Sequence, residues 1–229
     1  MSDGARSSAS PSGAAAARVG PFDAIVFDLD GTLWDTCGTC AIGWNRVLAR
    51  HRIAFRAITA DDVRRVAGKP HEACIRETFV GLDEGVLRLL VAETQVEDNA
   101  LVATLGGLVY PGAAEVLARL VTRAPLAIVS NCQAGYVEAF FGFTGLGHLF
   151  ADFECWGRTG RGKADNLGAV LARNGWRAPL FIGDTDGDQA AARHCGARFI
   201  HAGYGFGRCD GAPAHALAAL EELPELLGL

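Results

Sequence analysis

Three short apolar runs in the chain finish on a polar group: "DAIVFD" (23–28), "PLAIVSN" (125–131) and "PLFIGD" (179–184). Runs of this length, rich in β-branched residues and without polar alternation, predict strands buried on both faces. Other stretches have a longer period. Apolar residues recur near every 3.6 positions in "AAEVLARLV" from 113, "ADNLGAVLARN" from 164 and "DQAAARHCG" from 188, the last stopped by Gly196. Strands alternating with such helices predict an α/β fold, a Rossmann-like parallel sheet with helices on both faces. In sheets of this kind ligands bind beyond the carboxyl ends of the strands, where the polar groups of all three runs fall.

From about 36 to 107 the pattern is helical, with no convincing strand. "TADDV" opens one helix, with Thr59 as N-cap and Asp62 three residues on; Gly68 closes it, and Pro70 suits the first turn of the next. "DEGVLRLLVAETQVEDNALVATLGG" continues in the same way to a double-glycine stop. The expected organisation is an α/β core of residues 21–35 and 108–229, a small helical domain of 36–107 inserted after the first strand, and a disordered N-terminal tail of 1–20. The tail lacks the apolar stretch of a secretory signal, and no later run approaches membrane-spanning length.

Composition narrows the partners. The 229 residues, half of them hydrophobic, can bury a sizeable core. A net charge of -5 argues against a broad surface for nucleic acid or anionic membrane. A cytoplasmic chain, monomer or homodimer, with a small-molecule partner is the expectation. Seven cysteines scattered along such a chain predict reduced thiols and no structural disulfides.

The chemistry begins in "FDLDGTLWDTCGTC" (27–40), which holds two carboxylates, Asp28 and Asp30, and two thiols, Cys37 and Cys40. Residues i and i+2 of a strand point the same way, so the two aspartates can converge on one spot while Leu29 turns into the core. Carboxylates that close repel, and a shared proton or a bound cation relieves them. Asp184 and Asp188, at the end of another strand, favour the cation, because Mg²⁺ takes one or two carboxylates together with water and phosphate oxygens.

"FDLDGTL", "IVSN", Lys163 and "IGDTDGD", in that order, resemble the four motifs of the haloacid dehalogenase-like (HAD) superfamily, phosphatase branch, and the helical insert resembles that family's α-helical cap. The likeness extends over essentially everything from residue 22 onward, and phosphoglycolate phosphatase-like and β-phosphoglucomutase-like members are the nearest in pattern. It implies a Mg²⁺-dependent phosphatase acting on a small phosphorylated metabolite. Asp28 would be the nucleophile that forms an aspartyl-phosphate. Asp30 would protonate the leaving oxygen and then activate the water that releases phosphate. Lys163 would offset charge on the phosphoryl group. Ser130 would donate to a phosphoryl oxygen, Asn131 and Thr32 would help to hold the substrate, and Lys69 in "AGKPHEA" is a candidate for its leaving group. The metal set would be Asp28, the Asp30 backbone carbonyl and Asp184, with Asp188 direct or through water.

Competing motifs break down at single residues. "GRTGRGK" (157–163) satisfies a P-loop pattern, but Ala164 stands where a Ser or Thr hydroxyl is needed. "DTDGDQ" from Asp184 fails as a calcium loop at Gln189 and Cys195. The Cys37–Cys40 spacing has no second pair to complete a zinc site. Asp186 reads as a cap or a partner of the helix dipole. A phosphomutase, which shares this core and cap, stays open as an alternative, as does a catalytically weak binding or regulatory module.

Overall fold

The computed structural model describes residues 19–209, 211 and 213–229; residues 1–18, most of the expected disordered tail, lie outside it. In chain order the elements are β1 (Ala24–Phe27), β2 (Trp34–Asp35), α1 (Cys37–Arg50), α2 (Ala60–Val66), α3 (His71–Thr78), α4 (Glu84–Leu105), β3 (Leu108–Val109), α5 (Ala113–Leu120), β4 (Leu126–Ser130) and α6 (Tyr136–Thr144). There follow β5 (Phe150–Cys155), α7 (Trp156–Thr159), α8 (Lys163–Asn174), β6 (Pro179–Gly183), α9 (Asp186–His194), β7 (Arg198–Ala202), β8 (Ala216–Leu217) and α10 (Leu223–Leu226).

Six strands form one sheet in the order β5-β4-β1-β6-β7-β8, every neighbouring pair parallel. The apolar runs fill its centre, and their alternate residues feed two cores. Ile25 and Phe27 pair in register with Leu126 and Ile128 on one side and with Leu180 and Ile182 on the other, and all six belong to the larger core. Val26, Ala127, Val129 and Phe181 point the opposite way and pack with Leu167, Val170 and Leu171 of α8 and Ala191 and Ala192 of α9. Both faces are covered, which is why these strands read as continuous apolar text.

Because β1 lies between β4 and β6, the residues at their carboxyl ends, Asp28, Ser130 and Asp184, come side by side. Above them sits a helical layer, α1 to α4, attached through a two-stranded antiparallel clamp that pairs Trp34 with Val109 and Asp35 with Leu108. Thr59 caps α2 in a reciprocal box with Asp62, and Gly106 ends α4 at a φ of 65°. No two described cysteines are joined by a disulfide, and no described helix is long and apolar enough to cross a membrane.

Candidate active site

At the end of β1 the chain turns at Gly31, whose φ of 78° suits a residue without a side chain. A Cβ there would also press into the Asp184 carboxylate, so the turn and the second acidic strand end can meet only over glycine. Asp28, 1% exposed, projects from the same strand end.

Lys163, the first residue of α8, reaches under the site. Its Nζ lies 2.8 Å from Asp28 Oδ1 and 2.5 Å from Asp188 Oδ1. Burial works against the ammonium, but the charges of Asp188 and Asp28 outweigh it and raise its pKa. The other oxygen of Asp188 accepts from the backbone N–H of Asp184 (3.1 Å), from the Thr185 N–H (3.0 Å) and from the Thr185 hydroxyl (2.7 Å). Asp188 is thus both the capping-box partner of Thr185 at the start of α9 and the anchor of Lys163.

Asp184 is held by one oxygen only. Its Oδ2 accepts from the backbone N–H groups of Phe206 (2.8 Å) and Gly207 (2.9 Å), while its Oδ1 and Asp28 Oδ2 are buried without a partner. Asp28, Asp184 and Asp188 each offer an oxygen within 4.8 Å of the others. Three carboxylates against one ammonium leave a deficit that a divalent cation matches, and the two orphaned oxygens fit a cation better than any donor nearby. In the protein without a cation, burial and the neighbouring Asp188 push Asp28 well up, and the same causes lift Asp184 to about 6.

Asp30 has a different environment. Its Oδ1 accepts from the Tyr136 hydroxyl at 2.9 Å and the Thr36 hydroxyl at 3.3 Å. Burial pushes its pKa up to about 6, and these two hydrogen bonds hold it from rising further. Such a carboxyl can give and take a proton near neutral pH.

The chain matches the sequence profile of the haloacid dehalogenase-like hydrolases over residues 25–202. It belongs to that family. This haloacid dehalogenase-like hydrolase is 28% identical over 186 residues to the phosphoglycolate phosphatase of Synechococcus elongatus, which spans 80% of this chain and 84% of that protein. It is 27% identical over 221 residues to the phosphoglycolate phosphatase of Rhodospirillum rubrum, with 89% and 88% covered. Among solved structures, a predicted phosphoglycolate phosphatase from Haemophilus somnus superposes with a TM-score of 0.80 at 19% identity, over 90% of this chain and 97% of that one, a likeness of fold.

A cavity of about 70 Å³ lies between the strand ends and the helical layer, lined by Asp28, Asp30, Ser130, Asn131 and Lys69 among others. Ser130 accepts from the Cys132 N–H at 3.3 Å. Asn131 Nδ2 donates to the carbonyl of Gly68 at 2.8 Å, tying β4 to the loop between α2 and α3. Lys69 is half-exposed and paired with Glu77 at 2.6 Å. Thr32 is folded into the turn, its hydroxyl buried without a partner and its carbonyl accepting from Tyr204 at 2.8 Å. Cys37 and Cys40 line the cavity wall, but burial pushes both thiols far up, so neither is a ready nucleophile.

Residues that sequence reasoning did not single out complete the site. Thr36 and Tyr136 hold Asp30, and the backbone of 206–207 holds Asp184. The run "GYGFG" (203–207), with glycine at every other position after a strand, was the available signal for the second.

Proposed function

We propose that this phosphatase of the haloacid dehalogenase-like family hydrolyses a small phosphorylated metabolite in two in-line steps, with Mg²⁺ as cofactor. The observation that carries the reading is the contrast between the two aspartates of one strand end. Asp28 is paired with Lys163, faces Asp184 and has a bare oxygen; Asp30 is held by Tyr136 and Thr36 and titrates near neutrality.

In the first step an Asp28 oxygen forms a bond to phosphorus as the ester oxygen leaves, and Asp30 gives that oxygen its proton. In the second, Asp30, now ionised, takes a proton from water. The water oxygen attacks phosphorus, the aspartyl bond breaks, and inorganic phosphate leaves with Asp28 restored. Lys163 keeps a positive charge beside the phosphoryl group through both steps, and Ser130 donates to one of its oxygens. Asp28, Asp184 and the Asp30 backbone carbonyl would hold Mg²⁺, which when bound supplies the charge that lets an anionic phosphoryl group approach a carboxylate. Asp188 would act through Lys163 and through the hydrogen bonds that fix Asp184. Residues 36–107 would serve as the cap that closes the site against water.

The test is hydrolysis of p-nitrophenyl phosphate with and without Mg²⁺. Turnover that requires the metal and disappears in Asp28→Asn is expected; full activity in that variant would overturn the mechanism.

A further inference from the structure

Immediately after Ser130 the chain forms a short loop, 131–134, between β4 and α6, and the helical layer is fastened to both ends of it. At the near end Asn131 Nδ2 donates to the Gly68 carbonyl at 2.8 Å. At the far end Asn99, half-buried on α4, makes two contacts with one side chain: its Nδ2 donates to the Ala134 carbonyl at 2.8 Å, and its Oδ1 accepts from Gln133 Nε2 at 3.1 Å. A backbone carbonyl only accepts, so this orientation of the amide is the one that serves both partners.

The loop itself is tied to the sheet. The Gly157 N–H, at the start of α7, donates to the Cys132 carbonyl at 3.0 Å, and a Cβ on Gly157 would strike the backbone of Gln133 and Ala134. Gly135, at a φ of 88°, turns the chain directly beneath the amide, where a Cβ would stand 3.0 Å from Asn99 Nδ2. A loop pinned in this way cannot follow the helical layer outward, so any lifting of α4 away from the strand ends breaks both contacts of Asn99.

We propose that Asn99 is a positioning residue: its amide clamps the helical layer to the loop after Ser130 and so sets how often the cavity over Asp28 opens to solvent. Both contacts exist only while the layer is seated, and two hydrogen bonds at a half-buried position shift such an equilibrium by roughly tenfold. The clamp goes beyond the phosphatase reading above, and only its effect on turnover rests on that reading. A substrate that must be enclosed spends part of its binding energy on closing a loosened layer, and at saturation it holds the layer shut.

Cys132 reports the opening. It lines the cavity from the loop and is 7% exposed, whereas Cys155, 0% exposed and not among the residues lining the cavity, becomes reachable when the core unfolds. Labelling by iodoacetamide, followed residue by residue with peptide mass spectrometry, separates the two events. In Asn99→Ala the Cys132 rate should rise at least fivefold relative to that of Cys155. In the same variant KM for p-nitrophenyl phosphate should rise at least threefold, with kcat within twofold of the wild type. An unchanged labelling ratio overturns the inference, as does a loss confined to kcat. Asn99→Asp, which keeps the shape and sets an oxygen against the Ala134 carbonyl, should behave in the same way, and it decides if the alanine variant does not fold. Faster labelling of Cys132 in the variants, together with a wild type that shows no Mg²⁺-dependent hydrolysis of p-nitrophenyl phosphate, would overturn the phosphatase reading and leave the clamp standing.

Discussion

Lys163 Nζ lies 2.5 Å from Asp188 Oδ1, and this ion pair joins the start of α8 to the start of α9 underneath Asp28. Both partners are nearly inaccessible to water, and the second oxygen of Asp188 already takes three donors. A buried charge with so many partners cannot lose one cheaply.

Lys163→Met removes the charge that, on the proposed mechanism, faces the phosphoryl group. A loss of about 10²-fold or more in kcat is expected, in line with the removal of a single preorganised charge-stabilising donor. Steady-state kinetics on p-nitrophenyl phosphate checks it. Asp188→Asn removes the counter-charge of Lys163 and one of two acceptors, so whichever way the amide turns its NH₂ opposes either Lys163 or the N–H groups of Asp184 and Thr185. Leaving either set of donors unpaired costs about 1–3 kcal/mol of stability, and urea unfolding of the variant should show it.

Tyr136 gives a prediction for pH. Its hydroxyl stabilises the ionised form of Asp30, so Tyr136→Phe should raise the Asp30 pKa above its value of about 6. On the proposed mechanism the ionised carboxylate is the form that activates water. The acidic limb of the kcat–pH profile should therefore move to higher pH, by roughly half a unit to one unit for a hydrogen bond worth about 1 kcal/mol. A limb that stays in place would show that Asp30 is not the group titrating there.

How far this site can be read in the sequence depends on what fixes each residue. The central strands were legible because burial on both faces leaves no polar position inside them, and their terminal residues, Asp28, Ser130 and Asp184, came with them. Lys163 was legible by its order among the motifs, although its partnership with Asp188 was not. Arg198–Ala202 (β7), with three of its five residues partly exposed, has no such signature. Tyr136 lies 106 residues from Asp30, and Asp98 lies 54 residues from Trp44; tertiary packing alone brings these pairs together. The hydroxyl of Thr36, six residues after Asp30, turns back to it only because β2 and the start of α1 reverse the chain there.

The loop after β7 carries the last prediction. Phe206 and Gly207 can donate to Asp184 Oδ2 because Gly205, just before them, lets the backbone lie directly against the Gly31 carbonyl and the Asp184 side chain. A Cβ on residue 205 would collide with both, and a backbone carbonyl cannot rotate away as a flexible side chain can. Gly205→Ala should thus push the 205–207 loop off Asp184 and free its carboxylate to turn. Disturbing the groups that orient a metal ligand typically costs about 10–100-fold in metal affinity, so the Mg²⁺ concentration for half-maximal activity should rise by about that factor. Gly142→Ala, on α6 with open space around the added carbon, is the matched control and should leave the Mg²⁺ titration unchanged. An unchanged titration in Gly205→Ala as well would mean that the amides of 206 and 207 do not set the position from which Asp184 would bind the ion.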